Sequence, residues 1–263
     1  MSISRLELID SIEKIAPRHL AEVWDNCGMQ IDLEKENVNK ILVSLEITKE
    51  VLREAKSLGV DFIITHHPLI FTGLKRIDSN DVTGNYIIDC INSGISVYSA
   101  HTNFDKAEKG NNYYLAELLE LKDINKFEDI DLEYIGLYGE LKDEIALNDV
   151  ICKIKDKLEL FDYEIKVVGQ LDKKIKKIGL CTGSGIDMLD VAIKTGCQLF
   201  VTGDVKYHDA VKAKELNMNV IDAGHFGTEK IFVPNLCMQL KKVFFDRVEI
   251  IASKSDSNPF IKF

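Results

Sequence analysis

The sequence is poor in proline and tryptophan, with four and one among its 263 residues, and it contains no Cys-x-x-Cys pair. Its six cysteines are scattered without the spacing of a disulfide framework or a zinc finger, which is typical of reduced thiols. No apolar run approaches the roughly 20 residues that a membrane span needs, and the first residues lack the apolar core of a signal peptide. We therefore expect a cytoplasmic protein with no membrane partner.

Basic side chains are fewer than acidic ones, 33 against 43, which gives a net charge of -10. A chain of this charge is repelled by phosphate backbones and by anionic membrane surfaces, so we do not expect nucleic acid as a partner. The length suits one large or two medium domains. A composition of 46% hydrophobic and 29% charged residues is that of an ordinary globular protein.

A short apolar strand that ends in two histidines is the most informative stretch. The run Phe62–Ile64 predicts a buried strand, Thr65-His66-His67 follows it, and Pro68 prevents its continuation. In open α/β sheets, ligands bind beyond the carboxyl ends of the strands. The position therefore favours a functional role, and the alternative is an exposed polar turn that happens to contain two histidines.

The segments around this strand predict alternating strands and helices. Thr48 stands at a helix N-cap and Gly59 at a helix stop, so strand, helix and strand form a right-handed parallel crossover. A second polar cluster, His101 to Asp105, follows a later strand. The periodicity predicts strands at Lys40–Glu46, Ile95–Ser99, Tyr134–Glu140 and Tyr163–Val167, and helices at Ser4–Ala21 (broken at Pro17), Val82–Asn92, Tyr113–Leu119 and Asn148–Leu158.

The pattern of the first strands returns later in the chain. Ile41–Val43 corresponds to Ile178–Leu180, and Phe62–Thr65 corresponds to Leu199–Thr202, always at an offset of 137 positions (178 minus 41, 199 minus 62). Because matching glycines also keep this offset, we interpret the pattern as an internal duplication.

The duplication predicts an α/β fold with two linked α/β domains. We expect residues 1–125 and 226–263 to form the first domain and residues 126–225 the second. The second copy has Gly203-Asp204 where the first has the histidine pair. The simplest inference is one shared site to which each half contributes different ligands.

Five of the six histidines follow predicted strand ends, together with three carboxylates. Imidazole and carboxylate groups form a ligand set that suits Zn, Fe or Mn, and adjacent histidines that point different ways favour a site with two divalent ions. If a helix begins near Phe226, His225 and Glu229 share one of its faces. The alternative is a set of unrelated turn and capping residues. The candidates are His66, His67, His101, His208, His225, Asp105, Asp204 and Glu229.

The loop Val201–Ala210 has two interpretations. Asp204 can cap the following helix, or His208 and Lys206 can lie near the metals for proton transfer or for binding an anionic group. The turn Trp24–Gln30 is equally open, since Trp24 can fill the core or form a wall of the active site. For the glycine-rich Thr182–Gly185 we expect a tight strand-to-helix turn, because it lacks the Lys-Ser/Thr ending of a phosphate-binding loop.

Five motifs in a fixed order resemble the NIF3-like family, whose members are also labelled GTP cyclohydrolase 1 type 2 homologs. They are Trp24-Asp-Asn-x-Gly28, Thr65-His-His-Pro-Leu69, His101-Thr-Asn-Phe-Asp105, Thr202-Gly-Asp-x-Lys-Tyr-His208 and Gly224-His-x-x-Thr-Glu229. The resemblance covers nearly the whole chain. It implies two linked α/β domains and a toroidal homohexamer.

The resemblance also implies a dinuclear metal site. Glu229 would bridge the two ions, Asp105 and His67 would hold one, His66 and His225 would hold the other, and His101 would lie close by. The function that we expect is a metal-dependent hydrolase for a small nucleotide- or pterin-like substrate, with His101 or His208 moving protons. The alternative is a non-catalytic metal-binding or regulatory protein.

Overall fold

The computed structural model describes residues 2–129 and 132–260. The chain divides into two compact units. The first unit combines Met1–Ala107 with Phe232–Phe263, and the second unit is Glu108–Ile231. Each unit contains its own mixed sheet covered by helices, so the α/β class predicted from the sequence is confirmed.

The first unit alternates short strands with helices. Its elements are β1 (Ile3–Ser4), α1 (Arg5–Ile15), a 3-10 turn (Arg18–Leu20), β2 (Gly28–Ile31), β3 (Asn37–Val38), β4 (Lys40–Ser44), α2 (Lys49–Leu58), β5 (Phe62–Thr65), α3 (Val82–Asn92), β6 (Ser96–Ser99), α4 (Thr102–Lys106), α10 (Phe232–Phe244) and β13 (Glu249–Ala252). Five strands form a sheet in the order β13-β4-β5-β6-β2. Strands β13, β4, β5 and β6 are parallel, and β2 is antiparallel at the edge. A separate antiparallel pair joins β1 to β3.

Local sequence explains the boundaries in this unit. Thr48 Oγ1 accepts a hydrogen bond from the Val51 amide at 3.2 Å, which starts α2, and Gly59 ends it in the left-handed conformation at φ 65°. Both predicted boundaries are confirmed. Pro17 limits the first helix to α1, and the chain continues in a 3-10 turn.

The second unit is built on longer strands. Its elements are α5 (Asn111–Leu118), β7 (Lys122–Asp129), β8 (Leu132–Ala146), α6 (Leu147–Lys157), a 3-10 turn (Asp162–Glu164), β9 (Lys166–Val168), β10 (Lys174–Ser184), a 3-10 turn (Ile186–Met188), α7 (Leu189–Lys194), β11 (Leu199–Gly203), α8 (Tyr207–Glu215), β12 (Asn219–Asp222) and α9 (His225–Glu229). Six strands form a sheet in the order β7-β8-β10-β11-β12-β9. The neighbouring pairs β10–β11 and β11–β12 are parallel, and the pairs β7–β8, β8–β10 and β12–β9 are antiparallel.

Side-chain alternation along β11 divides the core of the second unit. Leu199 and Val201 belong to one buried cluster, and Phe200 belongs to another. Because successive side chains of a strand point to opposite faces, the two clusters cover the two faces of the sheet. The segment predicted as a strand at Tyr163–Val167 is shorter in the structure, since the Glu164 carboxylate accepts the Phe161 amide at 2.8 Å and closes a 3-10 turn.

The register of the parallel strands follows the sequence offset. Ile41 pairs with Phe62 in the first unit, and Ile178 pairs with Leu199 in the second, so both partners are shifted by 137 positions. The internal duplication itself stays a prediction. Among the described residues, no helix is long and apolar enough to cross a membrane.

Candidate metal centre

Three histidines of the first unit form one cluster at the carboxyl edge of its sheet. Strands β5 and β6 are parallel neighbours, so His66 and His67, which follow β5, meet His101, which follows β6. Their ring centroids lie 5.3, 5.0 and 5.7 Å apart. One ring nitrogen from each lies within 4.8 Å of the others. We call these three residues the histidine cluster.

His66 is fully buried and held in one orientation. Its ring Nδ1 lies 2.9 Å from the carbonyl oxygen of Ala100. A carbonyl can only accept, so Nδ1 carries a proton, and in the neutral ring the lone pair is on Nε2. That nitrogen lies 3.6 Å from Oδ2 of Asp105. The backbone amides of His66 and His67 both donate to the Leu45 carbonyl, at 3.0 and 2.9 Å, which fixes the turn that presents the two rings.

His101 is oriented by a carboxylate from a distant loop. Its Nδ1 donates to Asp25 Oδ1 at 2.9 Å, and the other carboxylate oxygen accepts the Thr102 amide at 3.1 Å and the Cys27 thiol at 2.9 Å. Burial alone would raise the pKa of the Asp25 carboxyl, but the hydrogen bonds from His101, Cys27 and Thr102 outweigh it and hold this pKa well below its usual value. The pair resembles the carboxylate–histidine arrangement that orients metal-binding imidazoles.

Asp105 is brought to the same edge by helix α4. Its amide donates to the His101 carbonyl at 3.0 Å, so the two residues are one turn apart. The buried amide of Asn103 anchors the helix, since its Nδ2 donates to the Ala16 carbonyl at 2.7 Å. The first unit thus brings together His66, His67, His101 and Asp105, all of which the sequence had marked as candidates.

The second unit places His225 and Glu229 on one face of helix α9. His225 Nε2 lies 2.9 Å from Glu229 Oε2, and His225 Nδ1 lies 2.7 Å from Asp204 Oδ2. The predicted helix at this position is confirmed. The capping interpretation of Asp204 is wrong, because Lys206 holds the N-cap position of α8 and Asp204 instead has φ 56° and contacts His225.

Two carboxylates change the titration of His225. The hydrogen bond with Glu229 raises its pKa to about 9, burial opposes this shift, and the bond with Asp204 adds to it. The Glu229 side chain itself is buried. A metal ion at this histidine must therefore displace a proton.

The glycine-rich turn after β10 makes room for Glu229. Gly183 has φ 70°, and a Cβ at this position would lie 3.0 Å from Glu229 Cδ and closer still to Oε1. Its amide donates to Thr228 Oγ1 at 2.9 Å. The predicted strand-to-helix turn is confirmed, since β10 ends at Ser184 and a 3-10 turn follows at Ile186. No sequence signal beyond the glycines pointed to the contact with Glu229.

The donor chemistry fits a divalent metal ion. The histidine cluster supplies imidazole nitrogens, with one from each ring within 4.8 Å of the others, and Asp105 supplies carboxylate oxygens beside them, which together form the mixed set that suits Zn, Fe or Mn. Two histidines lie elsewhere. His208 is exposed on α8 with its ring against Tyr207, and His19 is exposed on a 3-10 turn. The proton-transfer role of His208 stays a prediction.

Comparison with known proteins identifies extensive similarity. The sequence model of the family described as Duf34/NIF3 (NGG1p interacting factor 3) matches residues 3–259. The GTP cyclohydrolase 1 type 2 homolog of Clostridium perfringens is 37% identical over 257 residues, which cover 97% of each chain. Protein NIF3 homolog of Schizosaccharomyces pombe is 29% identical over 264 residues, or 94% of each. A solved structure of a Bacillus cereus protein related to NIF3 has a TM-score of 0.91 at 25% identity over 99% of each chain.

Proposed function

Because the chain belongs to the Duf34/NIF3 family, we propose that it is a dinuclear divalent-metal protein that hydrolyses a small nucleotide- or pterin-like substrate. The ions would be Zn, Fe or Mn, which suit mixed imidazole and carboxylate ligands. The name of the Clostridium perfringens relative, GTP cyclohydrolase 1 type 2 homolog, supports the substrate class.

The proposed ligands are the five residues that the family motifs mark. Glu229 would bridge the ions, with Asp105 and His67 on one and His66 and His225 on the other. One observation carries the proposal: the buried His66 ring has its Nδ1 proton committed to the Ala100 carbonyl, so its Nε2 turns a lone pair toward the Asp105 carboxylate. Two electron-rich atoms this close in a buried position repel each other, and cations bound by the two groups would supply the positive charge that offsets the repulsion.

The chain's own groups have defined tasks in such a reaction. A pair of bound divalent ions supplies a water of lowered pKa and polarises the group that is attacked. His101 keeps its Nδ1 proton on Asp25, so its Nε2 can accept a proton from water or return one to a leaving group. His208 is the second candidate for proton transfer, from its exposed position on α8.

Assembly and location belong to the same proposal. The family relationship supports a toroidal homohexamer. None of the six cysteines, all of which are described, forms a disulfide, and every one except Cys152 is buried, which favours a reducing compartment such as the cytoplasm.

The test begins with metal-stripped protein reloaded separately with Zn, Fe(II) or Mn. We expect two ions per chain by elemental analysis and metal-dependent hydrolysis in a screen of nucleotides, pterins and phosphoesters. Glu229→Gln should reduce turnover by at least about 100-fold, since it removes a charged ligand, while the variant still unfolds cooperatively, at a lower temperature because its bond to His225 is weakened. Glu215→Gln, an exposed change on α8, is the matched control and should leave turnover unchanged.

Two outcomes would contradict the proposal. Protein that holds two ions per chain but acts on no compound in the screen would indicate a non-catalytic metal-binding or regulatory role. Turnover that survives in Glu229→Gln at the wild-type rate would remove Glu229 from the site.

A further inference from the structure

Two exposed aromatic rings stand beside the histidine cluster. Trp24 is 58% exposed and Phe71 is 51% exposed. Their ring centroids lie 5.9 Å apart at an interplanar angle of 50°. Each also contacts the His101 ring, at 6.3 and 6.4 Å, in an edge-on geometry. We call Trp24 and Phe71 the aromatic shelf.

Hydrogen bonds join the two loops that carry the aromatic shelf. Asn26 Nδ2 donates to the Ile70 carbonyl at 2.5 Å, and the Ile70 amide donates to Gln30 Oε1 at 3.0 Å. Gln30 Nε2 in turn donates to the Asn26 carbonyl at 2.7 Å. These bonds tie the loop of Trp24 to the loop of Phe71, which keeps the two rings close together.

A second set of contacts fixes the shelf relative to the histidine cluster. Asp25 lies between Trp24 and Asn26, and its fully buried carboxylate is bonded to the His101 ring and to the Thr102 amide. In this tripeptide, Asp25 orients the His101 ring, and Trp24 next to it exposes its indole ring. Exposed aromatic rings held in this way present apolar faces to a ligand that also reaches the histidines.

From this geometry we propose that the aromatic shelf binds the flat heteroaromatic ring of the substrate, of the purine or pterin type, by stacking; the inference rests on the hydrolase function proposed above. A flat ring covers exposed aromatic faces without a fixed hydrogen-bond pattern. The polar atoms at the edge of such a ring match the adjacent imidazole of His101. An aliphatic chain would cover the shelf but would leave that polar neighbour without a ligand group.

Trp24 is the only tryptophan in the chain, so its fluorescence reports on the shelf directly. The experiment titrates the metal-free full-length protein with GMP and, separately, with ribose 5-phosphate, which shares the sugar phosphate but lacks the ring. We expect saturable quenching by GMP and none by ribose 5-phosphate. Phe71→Leu should weaken GMP binding by about 5- to 10-fold, as expected for loss of one stacking partner.

Phe161→Leu is the matched control, because Phe161 is similarly exposed at 56% but belongs to the second unit. It should leave GMP binding unchanged. Equal quenching by both compounds, or no effect of Phe71→Leu, would overturn the proposal. A fluorescence change on dilution with no response to GMP would also overturn it, since a second copy of the chain would then cover the shelf. The measurement involves neither metal nor turnover, so its failure is distinguishable from failure of the hydrolase function.

Discussion

Replacing Gly183 by alanine tests the contact between the glycine-rich turn and Glu229. The new methyl group meets two obstacles: a left-handed backbone with φ 70°, and the Glu229 carboxylate. Gly196, in the same unit, has φ 81°, but a methyl group at that position would have no described atom beyond its chain neighbours within 4 Å. Gly196→Ala therefore isolates the backbone effect, and the difference between the two variants measures the displacement of Glu229.

The magnitudes follow from the two obstacles. A non-glycine residue in the left-handed conformation destabilises the folded state by about 1–2 kcal/mol. Alanine also lowers the conformational entropy of the unfolded chain, which offsets about 0.4–1 kcal/mol of this. Gly196→Ala should therefore lower the free energy of unfolding by about 1 kcal/mol. In Gly183→Ala the Glu229 side chain must also move and lose its bond to His225. A hydrogen bond to a charged group contributes about 1.5–3 kcal/mol, so this variant should lose about 2.5–4 kcal/mol.

Thermal unfolding of the metal-free proteins measures the stability, and calorimetric titration measures metal binding. Gly183→Ala should bind Zn or Mn about 10- to 100-fold more weakly than wild type, because the displaced Glu229 carboxylate can no longer bind the ion. Gly196→Ala should bind with wild-type affinity. If both variants bind metal equally well, either Glu229 is not a ligand or Gly183 does not control its position.

Two further predictions concern the partners of the histidines. Asp25→Asn removes the charged acceptor that orients the His101 ring, and we expect turnover to fall about 10- to 100-fold while the protein still binds two ions per chain; unchanged turnover would show that His101 needs no orientation. In the metal-free protein, NMR titration should give His225 a pKa of about 9, due first to Glu229 and then to Asp204, and Asp204→Asn should lower it. Because folding raises the pKa of His225 from 6.5, its charged ring stabilises the folded state fully below pH 6.5, and this stabilisation is lost as the pH rises through about 9. A measured His225 pKa near 6.5 would contradict its contacts with Glu229 and Asp204.

Local patterns made much of the fold predictable. Thr48 and Gly59 bound α2 because capping and left-handed geometry depend on residues only a few positions apart. The strand before His66 and His67 was predictable for the same reason, since four successive buried residues form it. The apolar alternation predicted a strand from Tyr163, but the Glu164 carboxylate accepts the Phe161 amide and closes a turn there, so the strand begins only at Lys166.

The interpretation of the Trp24 loop could not be decided from sequence. The contact between Asp25 and His101 spans 76 positions, and the contact between Trp24 and Phe71 joins two separate loops. Structure excludes the core-filling role of Trp24, because the ring is exposed. In the sequence, the only indication of these contacts was that the single tryptophan, Trp24, directly precedes an aspartate, Asp25.

The sequence by itself determined which strands end in histidines and carboxylates, because buried apolar runs and the residues that stop them are adjacent in the chain. Only the tertiary structure decided how those side chains are held. The Ala100 carbonyl on His66, the Asp25 carboxylate on His101 and the space that Gly183 leaves for Glu229 all join residues far apart in sequence. Such contacts depend on how strands and loops meet after folding, and no local pattern encodes them.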